Sequence, residues 1–293
     1  MNKTIVGRTS ARTVTAGRWA VAQSAEDRAL EDPATVQEWI AIRRETWRDI
    51  MRRASDHLGI GPDSRILEIG GNATPFFLAL PEGRRTAVDT IYRHLFELYP
   101  GLRNLPEYRG VEFISSRLED LPPDRTFDLL ILINMLDHVQ DPPDFARQLD
   151  RLLAKNGKVL VIVDTYADPL IRNLVRDFDV DIPHPHHFVH ADVLALFPRY
   201  GLVLHDPRIW TSYFASPACS KATSHIPLFR VDQLVRRMRL NIREWKRGGD
   251  LLYTAKFFFI YGLALLLSVL RRRDPPAHPL KKQRLYLFQR GPS

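Results

Sequence analysis

Two stretches of this 293-residue chain hold residues whose types and spacing suit chemistry. The first is Arg65-Ile66-Leu67-Glu68-Ile69-Gly70-Gly71-Asn72-Ala73-Thr74, an apolar run that meets an acid, two glycines and a helix-start residue. Gly70 and Gly71 allow positive φ and let the backbone approach a ligand closely. Thr74 offers an N-cap and Pro75 suits the first position of a helix. Ligands of open α/β sheets bind at the carboxyl ends of such strands, so this turn is the expected cofactor site. The second stretch is His-Pro-His-His-Phe-Val-His from His184 to His190. Imidazoles suit general-base work near neutral pH and metal ligation. No second cluster of Cys, Asp or Glu accompanies this run in sequence and Pro185 stiffens it, so no metal is expected.

The elements that must position these residues alternate in type. Residues 34–57 place Trp39, Ile40, Ile42, Trp47, Ile50 and Met51 at helical spacing, predicting a helix over the sheet edge or the site mouth. Strands are predicted at 65–69, 85–89, 111–115, 127–133, 158–164, 202–205 and 284–289. A short helix ending at Pro81 and helices at 91–99 and 143–154 fall between them. Apolar runs of this length separated by helical patterns indicate a parallel sheet covered on both faces. Asp141-Pro142-Pro143-Asp144 reads as a proline turn opening a helix at Pro143.

A nicotinamide fingerprint, G-x-G-x-x-G, fails at Asn72 and Pro75. The segment instead resembles motif I of class I S-adenosylmethionine (SAM)-dependent methyltransferases, E/D-x-G-x-G-x-G, of the small-molecule, type 11-like kind. Glu68 and Gly70 match, and Asn72 and Thr74 stand in the second and third glycine places. Asn tolerates the left-handed conformation better than most residues. The resemblance continues through Glu119-Asp120-Leu121-Pro122. It extends over Phe127 to Asp164, with Leu136-Asp137-His138-Val139 after the fourth strand and Asn156-Gly157 before the fifth. It covers roughly residues 60 to 165 in the right order.

The resemblance implies an α/β, Rossmann-like methyltransferase fold: a mostly parallel seven-stranded sheet with helices on both faces, a helical N-terminal segment and a helical insertion before the last strand. It implies SAM as cofactor. Glu68 would orient the Gly70-Gly71 turn or reach the methionine ammonium through water, and Asp89 would accept from the ribose hydroxyls. Arg117 stands where relatives carry the acid that meets adenine, which leaves a backbone N–H of Leu118 and the carboxylate of Glu119 for that contact. Asn134 would face the site beside Asn72. His138 would brace its loop or act as base. In relatives a similar H-x-x-H-F segment borders the acceptor pocket, so His186 and His187 are the first candidates for acceptor contact or base. Little is asked of such a base, because the sulfonium is a strong electrophile and alignment supplies most of the catalysis.

The remaining features concern partners. Forty-five per cent hydrophobic and 26% charged residues are ordinary globular composition. Cys219 is the single cysteine, which excludes an internal disulfide framework and suits a reducing, cytoplasmic compartment. The first 25 residues carry Lys3, Arg8, Arg12 and Arg18 and no acid; with no apolar run following, secretion is not expected. Trp19 to Glu26 resembles the segment ahead of many bacterial small-molecule methyltransferase domains. Residues 1–212 hold 26 Lys/Arg against 30 Asp/Glu, whereas residues 213–293 hold 16 against 4. The basic part is expected to meet an anionic surface. Within it, Val231, Leu234, Val235, Met238, Ile242 and Trp245 recur at helical spacing, and residues 251–270 are almost wholly apolar before Arg271-Arg272-Arg273.

Twenty such residues are long enough to span a bilayer, but a crossing would strand residues 284–289 on the wrong side to complete the sheet. An interfacial helix pair over residues 225–273, lying on anionic lipid, is therefore the expectation. A buried accessory subdomain and an oligomer interface are its alternatives. The chain divides into a basic and helical cap (1–58), a SAM-binding core (59–212), a helical insertion (213–280) and a closing strand (281–293). The functional expectation is methyl transfer to a small-molecule or lipid- or sugar-linked acceptor at a membrane surface. A degenerate, inactive binding or scaffold protein is the second reading. A nucleic-acid methyltransferase ranks last, for want of a D/N-P-P-Y/F motif.

Overall fold

The computed structural model describes residues 14–20, 33–80, 82–122, 124–166, 168–178, 181, 184–206, 251–270 and 281–291. The first 13 residues, Cys219, the helical pattern at 231–245 and the arginine run at 271–273 lie outside them. So does most of the proposed membrane segment 225–273.

A mixed sheet runs through the centre. Its strands are β1 (Arg65–Ile69), β2 (Arg84–Val88), β3 (Glu112–Ile114), β4 (Phe127–Ile133), β5 (Leu153–Tyr166), β6 (Phe188–Val189), β7 (Tyr200–Asp206) and β8 (Lys281–Arg290). The order is β3-β2-β1-β4-β5-β8-β7, and β6 adds to the end of β5. β1 to β5 run parallel, while β8 runs antiparallel to both β5 and β7. The expected seven strands, the closing strand at 284–289 among them, are therefore present. The two-residue β6, paired through Thr165↔Phe188 and Tyr166↔Val189, is an addition that sequence periodicity is too short-sighted to show.

Alternation along the central strands splits the core into two layers. Ile66, Leu129, Ile131, Leu160, Ile162, Leu285 and Leu287 face helix α1 (Pro33–Leu58) and helix α2 (Tyr92–Leu98). Leu67, Leu130, Leu132, Val159, Val161, Tyr286 and Phe288 face α3 (Pro142–Leu152) and α5 (His190–Leu196). Both faces are dry, which is why these strands read as continuous apolar runs. Trp47 and Ile50 of α1 are buried against this layer, so α1 covers a face of the sheet. Truncating a fully buried residue such as Ile131 to Ala costs about 2–5 kcal/mol.

Three local expectations are corrected. Thr74 caps no α-helix: a single 3-10 turn, Phe76–Leu78, follows β1, and Pro75 occupies the capping position before it. The reason is packing, since Phe76, Phe77 and Leu78 are all buried beneath α1, so no one-sided helical stripe exists. The third helix starts at Pro142 and not Pro143, because Asp141 is the cap and its side chain accepts the Asp144 N–H at 2.9 Å. β5 starts earlier than expected, and its pairing with β4 jumps from Leu153 to Lys158 across the Asn156-Gly157 irregularity.

Helix α4 (Pro169–Asp177) and helix α6 (Leu251–Leu270) pack together outside the sheet. Ile260 and Ala264 of α6 are buried with Tyr166, Ile171 and Val175. Phe259, Leu266 and Leu270 on the same helix are exposed. Among the described residues no helix is long and apolar enough to cross a membrane.

Candidate functional site

The turn after β1 is held from below by an acid. Glu68 is buried, and its two carboxylate oxygens accept the Phe76 N–H at 2.7 and 2.8 Å. Burial away from water pushes its pKa up to about 8, against the lowering effect of the Phe76 and Phe77 amides. Above it, Gly70 has φ +73° and donates its N–H to the Val88 carbonyl at 2.9 Å. A Cβ on Gly70 would lie 2.5 Å from the Met135 sulfur, and one on Gly71 would lie 2.7 Å from the Tyr92 hydroxyl oxygen. Glycine is required at Gly70 by conformation and contact together, and at Gly71 by contact alone.

Asn72, in the second glycine place, adopts φ +50° as its residue type allows. Its N–H donates to Asp89 Oδ2 at 3.0 Å, while Asp89 Oδ1 accepts the Ile91 N–H at 3.3 Å. The Trp47 indole N–H donates to the Thr74 carbonyl at 2.9 Å and the Tyr108 hydroxyl to the Ala73 carbonyl at 3.0 Å, fixing the far side of the turn. Across the sheet, Asn134 after β4 also has a left-handed backbone, φ +49°, and its side-chain oxygen accepts from Gln283 of β8 at 2.7 Å. The closing strand thus supports the site.

These loops surround a cavity of about 350 Å³ at the carboxyl ends of β1, β2 and β4. Of the residues expected from sequence, Gly70, Asn72, Asp89, Leu118, Glu119, Asn134 and His138 line it. Glu68, Gly71, His186 and His187 are absent from its walls. Glu68 acts through the turn it holds up, and Gly71 through the packing of Tyr92 and Pro75. His186 is buried and its Nε2–H donates to the Val139 carbonyl at 2.8 Å, while its own backbone N–H donates to the Asp137 carbonyl at 3.2 Å. Its pKa is lowered by burial, and its geometry is that of a brace between two loops. His187 packs edge-on against Tyr166, its Nε2 3.8 Å from Asp181 Oδ2.

Trp19, Met135 and Phe145 are among the wall residues that sequence did not point to. Trp19 reaches the cavity from the N-terminal segment, its indole N–H donating to the His138 carbonyl at 2.8 Å. Met135 and Phe145 add apolar surface from the loop after β4 and from α3. Arg117 also lines the cavity and pairs with Glu119 at 3.4 Å, so the basic departure is neutralised by its neighbour. The walls fit SAM on three counts. Gly70 brings bare backbone to the cavity wall, the Asp89 carboxylate suits a vicinal diol, and the volume lies in the range of small-ligand sites.

Comparison with known proteins agrees. The family description "Methyltransferase domain" matches residues 39–240. The ubiquinone/menaquinone biosynthesis C-methyltransferase UbiE of Escherichia coli O1:K1 is 33% identical over 79 residues, 27% of this chain and 31% of that protein. The Salmonella arizonae protein of the same name is 29% identical over 104 residues, 35% of this chain and 36% of its own. The chain therefore spans about a third of the length of the curated relatives it matches. Among solved structures, the MccD protein superposes with a TM-score of 0.51 at 15% identity, covering 82% of this chain and 96% of that one. The (4+2)-cyclase SpnF superposes with 0.53 at 12% identity, covering 84% and 82%. Those likenesses carry the fold alone, while the family match spans more than half of the residues and includes the whole cradle: the chain belongs to the methyltransferase-domain family, whose methyl donor is S-adenosylmethionine.

Proposed function

We propose that this protein transfers a methyl group from SAM to a small, largely apolar or lipid-linked acceptor at the surface of a membrane. The observation that carries the methyl-transfer part is the convergence of Gly70, Asn72, Asp89, Leu118 and Asn134 on one cavity at the carboxyl edge of the sheet. SAM supplies an electrophilic methyl when bound. The chain's own residues hold the turn open, accept hydrogen bonds at Asp89 and exclude water with Trp19, Met135 and Phe145. His138 is the histidine of the cavity wall and so the imidazole placed to adjoin an acceptor.

The acceptor class is supported by α6. That helix buries Ile260 and Ala264 and still presents Phe259, Leu266 and Leu270 to solvent, in the part of the chain with 16 basic against 4 acidic residues. An exposed apolar helix face in a basic part of the sequence is the composition of a helix lying on anionic lipid. The matched relatives serve ubiquinone and menaquinone biosynthesis, which is compatible with such an acceptor.

Calorimetric titration of the full chain with S-adenosylhomocysteine tests the first part; a folded protein that takes up none ends it. Flotation with phosphatidylglycerol vesicles tests the second. Phe259→Ser, Leu266→Ser and Leu270→Ser combined should reduce flotation several-fold, and undiminished flotation removes the membrane reading.

A further inference from the structure

Asp137, His138 and His184 bring one carboxylate and two imidazoles together, with their ligand atoms all within 4.8 Å of one another. His138 Nε2 lies 4.0 Å from Asp137 Oδ1, and His184 Nε2 lies 3.9 Å from Asp137 Oδ2. The two rings tilt towards each other with centroids 4.8 Å apart. Asp137 is buried, its side chain only 4% exposed. Sequence examined the histidine run at 184–190 in isolation and gave no reason to expect a metal. Folding supplies the missing acid and second histidine from the loop after β4.

The cluster is also oriented from behind. His184 Nδ1 lies 2.7 Å from Asp181 Oδ1, which places the proton on Nδ1 and leaves the Nε2 lone pair directed towards Asp137 and His138. Asp181 is fixed in turn, because its Oδ2 accepts the Tyr166 hydroxyl at 2.8 Å. Arg18 holds the main chain of the same segment, donating to the carbonyls of Asp181 at 3.2 Å and His184 at 3.4 Å. A carboxylate behind an imidazole, itself hydrogen-bonded, is the outer shell that metal-bound histidines characteristically have. Two buried carboxylates, Asp137 and Asp181, converge in this corner beside the Arg18 guanidinium.

Two histidines and one carboxylate with an open side form the donor set of catalytic transition-metal sites. Donors of a bound ion stand roughly 3.3 Å apart in a tetrahedral site, so the widest spacing in the cluster need contract by about 1.5 Å. Of the three, His138 is also a wall residue of the cavity, so the cluster adjoins it through that side chain. We propose that Asp137, His138 and His184 bind one divalent transition-metal ion, that Asp181 orients His184, and that the ion's open position takes an oxygen of the acceptor. Only the last clause rests on the methyl-transfer reading of the cavity.

The test uses the full chain, stripped with EDTA and titrated with Co2+ and, by calorimetry, with Zn2+. One ion per chain and visible cobalt ligand-field bands are expected, with Zn2+ displacing Co2+. Asp181→Asn should weaken binding by about 10–100-fold, and His184→Ala and Asp137→Asn should abolish the bands, with folding of each variant checked by circular dichroism. The proposal is overturned if the wild-type protein gives neither bands nor heat, or if the folded variants bind as it does. Should the variants not fold, the wild-type titration decides by itself. S-adenosylhomocysteine titrated into the same wild-type sample separates the two readings. Ion uptake without nucleoside uptake leaves the metal site standing and removes methyl transfer, and the reverse result removes the metal site.

Discussion

Asp89 accepts the main-chain N–H of Asn72 at 3.0 Å across 17 residues of sequence, so the acid at the end of β2 holds the very residue that replaces a motif glycine. One carboxylate therefore shapes the cradle and faces the cavity. Charge-assisted hydrogen bonds of this kind contribute about 1.5–3 kcal/mol. Asp89→Ala should raise the dissociation constant for S-adenosylhomocysteine by at least tenfold, with Asp89→Asn intermediate. Unchanged affinity in a folded Asp89→Ala protein would remove Asp89 from the site.

Glu68 makes stability depend on pH in a stated direction. Its pKa is about 8 in the folded chain and near 4.5 when unfolded. Between these values the native state holds a proton that the unfolded state has released, so stability falls as pH rises from about 4.5 to 8 and is level above. The size is on the order of 5 kcal/mol at most. Glu68→Gln keeps an oxygen for the Phe76 amide and removes the ionisation. Thermal melts of the variant between pH 5 and 8 should show a flatter slope than the wild type. Parallel slopes would mean that Glu68 is ionised throughout.

Gly70→Ala puts a methyl 2.5 Å from the Met135 sulfur at a φ of +73°. The left-handed backbone alone costs roughly 1 kcal/mol for a residue with a Cβ. The contact also pushes Met135, a wall residue, into the cavity. Loss of cofactor binding should exceed loss of stability, and pairing the change with Met135→Ala should restore part of the binding. If the pair binds no better than Gly70→Ala, backbone strain is the whole effect.

His186→Phe removes the donor to the Val139 carbonyl while preserving the stacked position beside Phe188. Leaving a buried carbonyl without its donor costs about 1–3 kcal/mol. Chemical denaturation should show a loss of that size, with His186→Gln recovering part of it. A turnover loss with no stability loss would return His186 to the role of base.

Trp19→Phe retains the ring and loses the N–H that meets the His138 carbonyl. Because Trp19 closes the cavity from the N-terminal segment, dissociation of S-adenosylhomocysteine should quicken more than association slows. Stopped-flow fluorescence measures both rates, and equal effects on the two would deny Trp19 a closing role.

Much of the fold was written locally. Leu129 to Ile133 and Val159 to Val163 are apolar at every position because both faces of their sheet are covered, and that pattern needs no knowledge of partners. The backbone of the cradle was equally local, since Gly70 and Asn72 take the positive φ that their residue types allow. The 3-10 turn at Phe76–Leu78 was not local. Three consecutive residues are buried there because α1 lies over them, and a helix-start sequence yields to that packing.

The sequence by itself determined the strand order's raw material, the parallel core and the edge at which a cofactor sits, because those follow from periodicity and from residue conformational preference. Tertiary structure alone decided which side chains share the cavity. It set Glu68 beneath the turn and made His186 a brace. It drew Trp19 to His138 across 119 residues and placed Asp137 and His138 against His184. Residue type states what a side chain is able to do; the long-range hydrogen bonds and burial that aim it at one neighbour and not another exist only once the chain has folded.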